Sequence, residues 1–360
     1  MPGERLTVLE EKTARGEPVS SHVDVLVPSR LHLSVIDMNR FAVGRFGGGG
    51  IGMSADIKIK IAVKTSQNAR VQAKSEREAP VCHIAEAFRK SVGYTGGLQI
   101  TTTSSHYKHV GLGSTSSTLI GTAYALNQMF GMPFSLCQLR ELVAYNFVEE
   151  DSTGALHEGF ETGVDPAAIL FGGFIVLTDE IQLVRRAVIP ERYNVVIAIP
   201  KTKVSATEET AGEGEKALLL GEGRRLDKEH AGVKSRIILM DLIPCLSRGD
   251  WRGVGNAISL IQRIGSKRAE IEYHTDTRIY EILDGLERAG SLVAGMSSVG
   301  PTIACICTDD RLDSCTDVLS THMSKQRIIH TKPENQGIVS EAGSGRFEER
   351  TAIWHSIETL

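Results

Sequence analysis

A short glycine-rich loop that leads directly into a helical apolar pattern is the feature that most constrains this chain. Gly111 and Gly113 flank Leu112, and a run of serines and threonines follows. Glycine lets the backbone turn sharply and approach a ligand closely. The apolar residues that then recur at helical spacing are Leu119, Ala123, Leu126 and Phe130. We therefore predict a helix capped by Ser114.

The start of this helix is a candidate phosphate site, because free N–H groups and the positive end of the helix dipole favour anions. The alternative is a tight turn before a core helix. Lys108 stands just before the loop and adds positive charge. The predicted phosphate-binding residues are Lys108, Gly111, Gly113, Ser114, Thr115 and Ser116.

Length and charge limit the classes of protein to which the chain can belong. Its 360 residues suffice for two packed domains or one large two-lobed domain. A net charge of −4 argues against broad attraction to nucleic acid or to a membrane surface. No run approaches the roughly 18 apolar residues of a membrane span, and the first residues lack the apolar core of a secretion signal. We expect a cytoplasmic protein.

The first third of the chain is predicted to form β-strands. Residues 23–27 and 31–36 form two such segments, separated by Pro28. Arg30, His32 and Ser34 share one face of the second segment. The glycines at 47, 49 and 52 formally match a dinucleotide-binding motif, but the pattern that follows alternates with a period of two and predicts a strand instead. These glycines either let the backbone approach a ligand or form a bulged bend.

Strands precede helices in each half, which predicts a two-lobed α+β architecture. The predicted division is a leader (1–20), a first lobe (21–200), a second lobe (201–335) and a tail (336–360). Residues 205–232 are rich in Glu, Gly and Lys and are predicted to form a surface helix or a mobile cover. No Cys-x-x-Cys pair occurs, so we expect buried reduced thiols, with Cys305 and Cys307 on one strand face.

Three motifs in consistent order resemble the GHMP superfamily of small-molecule kinases and their relatives. They are the strand from Arg30, the loop at Gly111 and a second glycine loop at Ser297. The resemblance implies a first lobe like ribosomal protein S5 and a ferredoxin-like second lobe. Four segments are more specifically similar to the β-ribofuranosylaminobenzene 5′-phosphate synthase family: Arg30-Leu-His-Leu-Ser-Val-Ile-Asp-Met-Asn39, the glycine run 44–52, Phe171-Gly-Gly-Phe-Ile-Val176 and Ser297-Ser-Val-Gly-Pro-Thr302.

This resemblance implies an enzyme that joins ribose 5-phosphate from phosphoribosyl pyrophosphate to a ring carbon of an aromatic carboxylate, with loss of carbon dioxide and pyrophosphate. Related enzymes of C-nucleoside antibiotic pathways use an aminated heteroaromatic acid such as an aminopyrazole carboxylate. The loop here reads Gly-Leu-Gly-Ser-Thr-Ser-Ser, whereas the methanopterin-type loop tends to read Gly-Leu-Gly-Ser-Gly-Thr, and this difference favours the antibiotic type. Magnesium on the pyrophosphate is expected, with its protein ligands undefined. A homodimer is also expected.

The resemblance also suggests roles for individual residues. Asp37, Arg45 and His109 are the predicted catalytic residues, and the alternative for Asp37 and Arg45 is a structural ion pair. His32 has the alternative of a hydrogen-bonded partner within its polar row. The predicted substrate-binding residues are Arg30, His32, Asn39, Gly49, Gly50, Ser297 and Ser298.

An ATP-dependent small-molecule kinase is the main alternative function. Thr162-Gly-Val-Asp-Pro-Ala resembles the segment in which GHMP kinases carry an acidic residue near the attacking hydroxyl, and Asp165 stands at that place. It would serve as a base or orienting group in phosphoryl transfer. The chain lacks the Pro-Gly-rich opening and the Gly-Glu-His element of those kinases. A sensor on the same fold is a third possibility, which no appended basic segment supports.

Overall fold

The computed structural model describes residues 16–42, 47–103, 110–150, 154–159, 161–201, 214, 217–275 and 277–340. The strands are β1 (His22–Val35), β2 (Gly50–Ser66), β3 (Val71–Lys74), β4 (Gly97–Thr102), β5 (Val148–Glu150), β6 (Leu156–Glu158), β7 (Phe174–Leu177), β8 (Leu183–Ala187), β9 (Asn194–Ala198), β10 (Val293–Met296), β11 (Ile303–Cys307), β12 (Ile328–Thr331) and β13 (Val339–Ser340). The α-helices are α1 (Glu78–Ser91), α2 (Ser114–Met129), α3 (Leu136–Tyr145), α4 (Val164–Phe171), α5 (Arg224–Ile237), α6 (Ile243–Arg248), α7 (Trp251–Gln262), α8 (Gly265–Tyr273), α9 (Ile279–Arg288) and α10 (Leu312–Ser320). Two π-helical turns, Leu219–Gly223 and Ile238–Leu242, flank α5.

Two main sheets, each covered by helices, form two lobes, as the sequence predicts. The first has seven strands, in the order β13-β1-β2-β4-β3 with β7 and β8 continuing from β2. The second has four, in the order β10-β11-β9-β12, and β5 and β6 form a separate hairpin. Sheet membership does not follow the predicted lobe boundaries at 200 and 335. β9 precedes residue 200 but lies in the second sheet, and β13 returns the chain to the first.

Strand β1 continues through Pro28, where the sequence predicts a break. The pairing of β1 with β2 shifts register between Pro28 and Ser29, so the strand survives the proline through a local irregularity. Before the shift, Val25 and Val27 pack in a core with α1 and α2. After it, Leu31 and Leu33 pack with residues of the second lobe. The two halves of one strand therefore contribute to two different cores.

The glycine run before β2 leads into a strand and not into a dinucleotide-binding helix, as predicted. Gly48 and Gly49 have φ of +87° and +58° at the turn between β1 and β2. A Cβ on Gly50 would lie 2.6 Å from the side chain of Val164, and one on Gly52 would lie 2.9 Å from it. The absence of side chains at these positions of β2 allows α4 to pack closely against the first sheet.

Two helix starts differ from the sequence prediction. The N-cap of α2 is Gly113, with φ of +71°, and Ser114 is the first helical residue rather than the cap. The glycines and the proline of the segment 163–176 predict a turn that leads into a strand, but α4 forms first. Pro166 lies in the first turn of α4, where a helix does not need its missing N–H. At α3, the serine at 135 and the glutamine three residues later predict a capping box, and the structure confirms it.

The described part of the segment 205–232 is not simply a surface helix. Asp227 and Lys234 of α5 form an ion pair with both side chains fully buried. Asp227 accepts a hydrogen bond from the backbone N–H of Met38, and Lys234 donates one to the carbonyl of Val35. α5 is therefore anchored to the end of β1. Residues 205–213, 215 and 216 of this segment lie outside the described residues.

The described thiols of the second lobe lie where the strand pattern places them. Cys305 and Cys307 are both buried in one core, together with Cys315 of α10, so they share a face of β11 as predicted. Within the described ranges, none of the helices combines the length and the apolar character needed to cross a bilayer.

Candidate functional site

A polar cleft lies where the two lobes meet. Its walls are the second half of β1, the start of α2, the start of α4, α8 and the loop between β10 and β11. The described residues that line it are Arg30, His32, Val35, Gly111, Gly113, Ser114, Thr115, Ser116, Phe147, Glu149, Glu161, Thr162, Asp165, Leu219, Lys267, Glu270, Ser298, Val299 and Gly300.

Asp165 is the central carboxylate of this cleft. One of its oxygens contacts the Nε of Arg30, and the other lies 3.1 Å from the Nδ1 of His32. All three side chains are about nine-tenths buried or more. Burial opposes ionisation, but Arg30 and His32 outweigh it and hold the pKa of Asp165 well below its usual range. Asp165 is therefore a fixed negative charge in the cleft.

Arg30 and His32 each serve the cleft in a second way. Arg30 donates a hydrogen bond to the carbonyl of Gly111, at 2.7 Å, which fixes the glycine loop. The Nε2 of His32 is buried and has no hydrogen-bond partner among the described residues. Since His32 lines the cleft, its Nε2 is available to a ligand.

Glu161 is a second buried carboxyl group, and its pKa shifts in the opposite direction to that of Asp165. Burial, together with the charge of Asp165, raises the pKa of Glu161 to about 8. The hydroxyl of Ser116 lies 3.0 Å from Glu161 and 3.2 Å from Asp165, so it bridges the two side chains. The backbone N–H of Gly163 donates to the other oxygen of Glu161 at 2.8 Å. The pair thus combines one ionised carboxylate with one that holds a proton at neutral pH.

The N-terminus of α2 forms part of the first-lobe wall and has the features that favour an anion. Its first turn contains no acidic residue, and Ser114, Thr115 and Ser116 all line the cleft. The guanidinium of Arg77, which precedes α1, donates to the hydroxyl of Ser114 at 2.9 Å. A buried arginine beside free helix N–H groups is well suited to a phosphate or pyrophosphate.

Hydrogen bonds between the lobes hold the two glycine loops together. The hydroxyl of Ser297 donates to the carbonyl of Gly111 at 2.6 Å and accepts from the N–H of His32 at 2.9 Å. The N–H of Ser298 donates to the carbonyl of His32 at 2.7 Å. A Cβ on Gly111 would lie 2.6 Å from the carbonyl oxygen of Ser297, so only glycine fits this approach. The cleft is therefore crosslinked at its base.

The second-lobe wall carries a buried ion pair on α8. Lys267 contacts Glu270 and donates a hydrogen bond to the carbonyl of Ser298 at 2.8 Å. The side chain of Lys267 is 1% exposed and that of Glu270 is 4% exposed, yet both line the cleft. Burial lowers the pKa of Lys267, while Glu270 acts in the opposite direction.

The structure brings many of the predicted site residues together at the cleft. Ser297 is fully buried just behind it. The predicted residues that line the cleft are Arg30, His32, Gly111, Gly113, Ser114, Thr115, Ser116, Ser298 and the alternative kinase residue Asp165. Lys108, His109 and Arg45 lie outside the described residues.

Other predicted site residues do not line the cleft. Asp37 accepts hydrogen bonds from the backbone N–H and the side-chain amide of Asn39, and that amide also donates to the carbonyl of Arg224. These two residues therefore form a turn against α5. Gly49 belongs to the same turn, where a Cβ would lie 2.6 Å from the carbonyl of Leu177. Gly50 lies behind His32, with a Cβ position 3.4 Å from its Nε2.

Several charged residues at the cleft were missed by the sequence reasoning. Lys267 and Glu270 occur within an ordinary helical pattern and reach the cleft only through tertiary packing, and Arg77 reaches Ser114 in the same way. Glu161 stands four residues before Asp165, immediately before the stretch that resembles the kinases. An acidic residue so close to Asp165 is the one signal that sequence reasoning had available.

Comparisons with known proteins agree with this architecture. The model of the GHMP kinases N terminal domain matches residues 79–173, and that of the GHMP kinases C terminal domain matches residues 242–325. The chain is 28% identical to a beta-ribofuranosylphenol 5'-phosphate synthase of Methanothermobacter thermautotrophicus, over 86% of this chain and 96% of that protein. It is 26% identical to one of Archaeoglobus fulgidus, over 87% and 98%. The solved homoserine kinase from Cytophaga hutchinsonii shares the fold, with a TM-score of 0.64, 15% identity and coverage of 90% of this chain and 98% of that one.

Proposed function

Because this chain belongs to the GHMP superfamily and resembles beta-ribofuranosylphenol 5'-phosphate synthases over nearly their whole length, we propose that it is a decarboxylating C-ribosyltransferase. Its donor is phosphoribosyl pyrophosphate. Its acceptor is an aromatic or heteroaromatic carboxylic acid that carries an amino or hydroxyl group, of the para-aminobenzoate or aminopyrazole carboxylate type.

The proposed reaction exchanges two bonds. The bond from the ribose C1 to pyrophosphate breaks, and the departing pyrophosphate takes its electron pair. The ring carbon that bears the carboxylate supplies a π electron pair for the new bond to C1. The bond from that ring carbon to the carboxylate then breaks, its electrons restore the aromatic ring, and carbon dioxide leaves. No base has to remove a ring proton.

The observation that carries this proposal is the anion-binding first-lobe wall. A pyrophosphate leaving group needs donors that are already in place, because preorganised dipoles stabilise developing charge best. The N–H groups at the start of α2 and the hydroxyls of Ser114 and Thr115 supply such donors. The guanidinium of Arg77 donates to the hydroxyl of Ser114 and adds positive charge beside this helix start.

Asp165 has a separate role in the proposal. Positive charge develops at the ribose C1 as the pyrophosphate departs. Asp165 stays ionised because Arg30 and His32 lower its pKa, so it stabilises this charge from a fixed position. Arg30 contributes by holding both Asp165 and the glycine loop. His32 contributes its free Nε2 to the bound donor or acceptor.

The donor atoms at the cleft fit magnesium. Glu161, Asp165 and the hydroxyl of Ser116 supply hard oxygen atoms that converge within hydrogen-bond distance of one another. Among the described residues, no cluster of three or more His, Cys, Asp or Glu side chains is arranged for a metal. Magnesium keeps several waters and takes few protein ligands. Bound to the pyrophosphate, it would neutralise charge on the leaving group.

A small-molecule kinase is the second candidate, and the position of Asp165 favours it. Asp165 lies beside the start of α2, where a nucleotide's phosphates would bind, and its segment resembles the kinase segment. The lowered pKa argues against it as a proton acceptor, because a base is most effective with a pKa near the working pH.

The test is a direct comparison of the two reactions on the purified full chain. Pyrophosphate and carbon dioxide release are measured with magnesium, phosphoribosyl pyrophosphate and, in turn, para-aminobenzoate, para-hydroxybenzoate and aminopyrazole carboxylates. ADP formation is measured in parallel with ATP. We expect acceptor-dependent release of pyrophosphate and carbon dioxide in equal amounts. ADP formation without pyrophosphate would replace the synthase with a kinase.

A further inference from the structure

We propose that the second-lobe end of the cleft is the acceptor subsite, in which Lys267 binds the carboxylate of the aromatic acid and Glu270 limits the strength of that contact. This inference rests on the proposed function and assigns the acceptor to particular residues.

The second-lobe end of the cleft has apolar walls suited to a planar ring. Val35, Leu219 and Val299 line the cleft and belong to one small hydrophobic cluster. Met38 and Phe41 support these three from behind, in the same cluster. The opposite end is lined mainly by glycines, hydroxyl groups and carboxyl groups, and Phe147 is the large apolar side chain among its described residues. The end next to α8 groups three apolar side chains and therefore suits an aromatic ring better.

Lys267 stands beside these apolar walls with bonding capacity to spare. An ammonium group has three N–H donors. Two are used within the described chain, by Glu270 and by the carbonyl of Ser298, the residue next to Val299. The third remains for a ligand in the cleft that Lys267 lines. A carboxylate on a ring packed against Val299 would accept it.

The charge around Lys267 favours a carboxylate over a phosphate group of the donor. Glu270 already balances the ammonium, so a dianionic phosphate at this place would meet a neighbouring negative charge. The start of α2, by contrast, has no acidic residue in its first turn, and the guanidinium of Arg77 donates to the hydroxyl of Ser114 there. The polyanionic donor and the monoanionic acceptor thus have separate positions.

Glu270 also suits the loss of carbon dioxide. A carboxylate held by a fully charged ammonium is stabilised in the ground state, and that stabilisation is lost when neutral carbon dioxide departs. Sharing Lys267 with Glu270 weakens the contact with the substrate. The dyad therefore orients the acceptor without resisting the bond cleavage that completes the reaction.

The first experiment measures equilibrium binding of acceptor and donor separately, by calorimetry on the full chain. For Lys267→Met we expect the affinity for para-hydroxybenzoate to fall about 10- to 100-fold, as expected when a charge-assisted hydrogen bond is lost. The affinity for phosphoribosyl pyrophosphate should change less than twofold. The matched control is Arg268→Met, because Arg268 is the next residue and pairs with Glu272 in solvent. Its affinities should equal those of the parent.

A ligand series gives the same information without altering the fold. Para-hydroxybenzamide has the ring and hydroxyl of para-hydroxybenzoate but no charge. The parent protein should prefer the acid by at least tenfold, and Lys267→Met should lose that preference. Equal affinity of the parent for acid and amide would overturn the proposal, as would loss of donor binding in Lys267→Met.

Glu270→Gln should change the affinity for the acceptor in the opposite direction to Lys267→Met. The unshared ammonium should bind the acceptor more tightly, so KM for the acceptor and kcat both fall, and the carbon-13 isotope effect on the carboxyl carbon rises. Glu272→Gln, on the exposed face of α8, is the control. An unchanged or higher kcat in Glu270→Gln would refute the role of Glu270. If the parent binds aromatic acids through Lys267 but releases no pyrophosphate, the proposed function fails while the subsite stands.

Discussion

The two walls of the cleft both present polar groups to a ligand, but the chain builds them in different ways. The first-lobe wall is built largely from consecutive residues, since Gly113, Ser114, Thr115 and Ser116 form one loop and helix start. The second-lobe wall combines α8 with a distant loop, joined by the contact between Lys267 and Ser298. The first wall can be recognised as a motif, whereas the second exists only in the folded chain. The surface that we assign to the phosphates of the donor is thus local in sequence. The surface that we assign to the aromatic acceptor is assembled from several elements.

Asp165 lies between the two walls, and its removal should have the largest effect. Asp165→Asn leaves the buried guanidinium of Arg30 without its counter-charge, and we expect kcat/KM to fall about 10²- to 10³-fold. The free energy of unfolding should fall by about 3–5 kcal/mol. Pyrophosphate release and urea unfolding measure the two effects. The control is Asp179→Asn, whose partner Arg40 is 60% exposed. If Asp165→Asn turns over as fast as the parent, Asp165 has no role in the reaction.

Arg77 tests whether the first-lobe wall is specific for the donor. In Arg77→Met we expect KM for phosphoribosyl pyrophosphate to rise about 10- to 100-fold, because a charge-assisted contact is lost. KM for the acceptor should stay within twofold of the parent value. Arg89→Met removes an arginine of α1 that pairs with Glu86 instead, and it should leave both constants unchanged. Equal rises in both constants for Arg77→Met would show that the two walls do not divide the substrates.

The pH dependence of stability separates the two buried carboxylates. The pKa of Glu161 is raised to about 8, so its protonated form is favoured by folding. Its contribution is complete below pH 4.5 and is lost as the pH rises towards 8, at a rate of up to about 1.4 kcal/mol per pH unit. The pKa of Asp165 is lowered, so folding favours its ionised form. Its contribution to the stability of the protein is complete above pH 3.8 and is lost as the pH falls below that value.

Chemical unfolding of Glu161→Gln between pH 5 and pH 8.5, in the presence of a chelator, checks this difference. The variant should lose less stability than the parent as the pH rises, since it has no proton to release. Parallel curves for parent and variant across this range would mean that Glu161 is already ionised at pH 5 in the folded protein.

Ser297 tests the crosslink between the walls and should have the smallest effect. Ser297→Ala removes the hydroxyl that contacts both His32 and Gly111, and we expect a cost of about 1–3 kcal/mol in unfolding free energy. Both KM values should rise together, by less than tenfold. Ser291→Ala is the matched control, because its buried hydroxyl has no partner among the described residues. Thermal unfolding compares the two variants, and an equal loss in both would count against the crosslink.

The parts of the fold that were predicted correctly follow short-range patterns. The alternation through β2 and the polar row of Arg30 and His32 are set by the period of a strand, which sequence displays directly. The helix α4 was missed because Pro166 resembles a turn signal when its position within a first helical turn is unknown. Lys267 was missed for a different reason. Nothing in the sequence around it distinguishes a lysine buried by packing from one in solvent.

The register shift in β1 has a consequence for how proteins of this architecture can change. One strand supplies the core of the first lobe up to Val27 and the core shared with the second lobe from Leu31 onward. Neither lobe therefore has a boundary at which it could be exchanged for that of a relative without repacking the other. New acceptors are expected to be acquired in evolution by single substitutions around the cleft, and not by recombination of whole lobes.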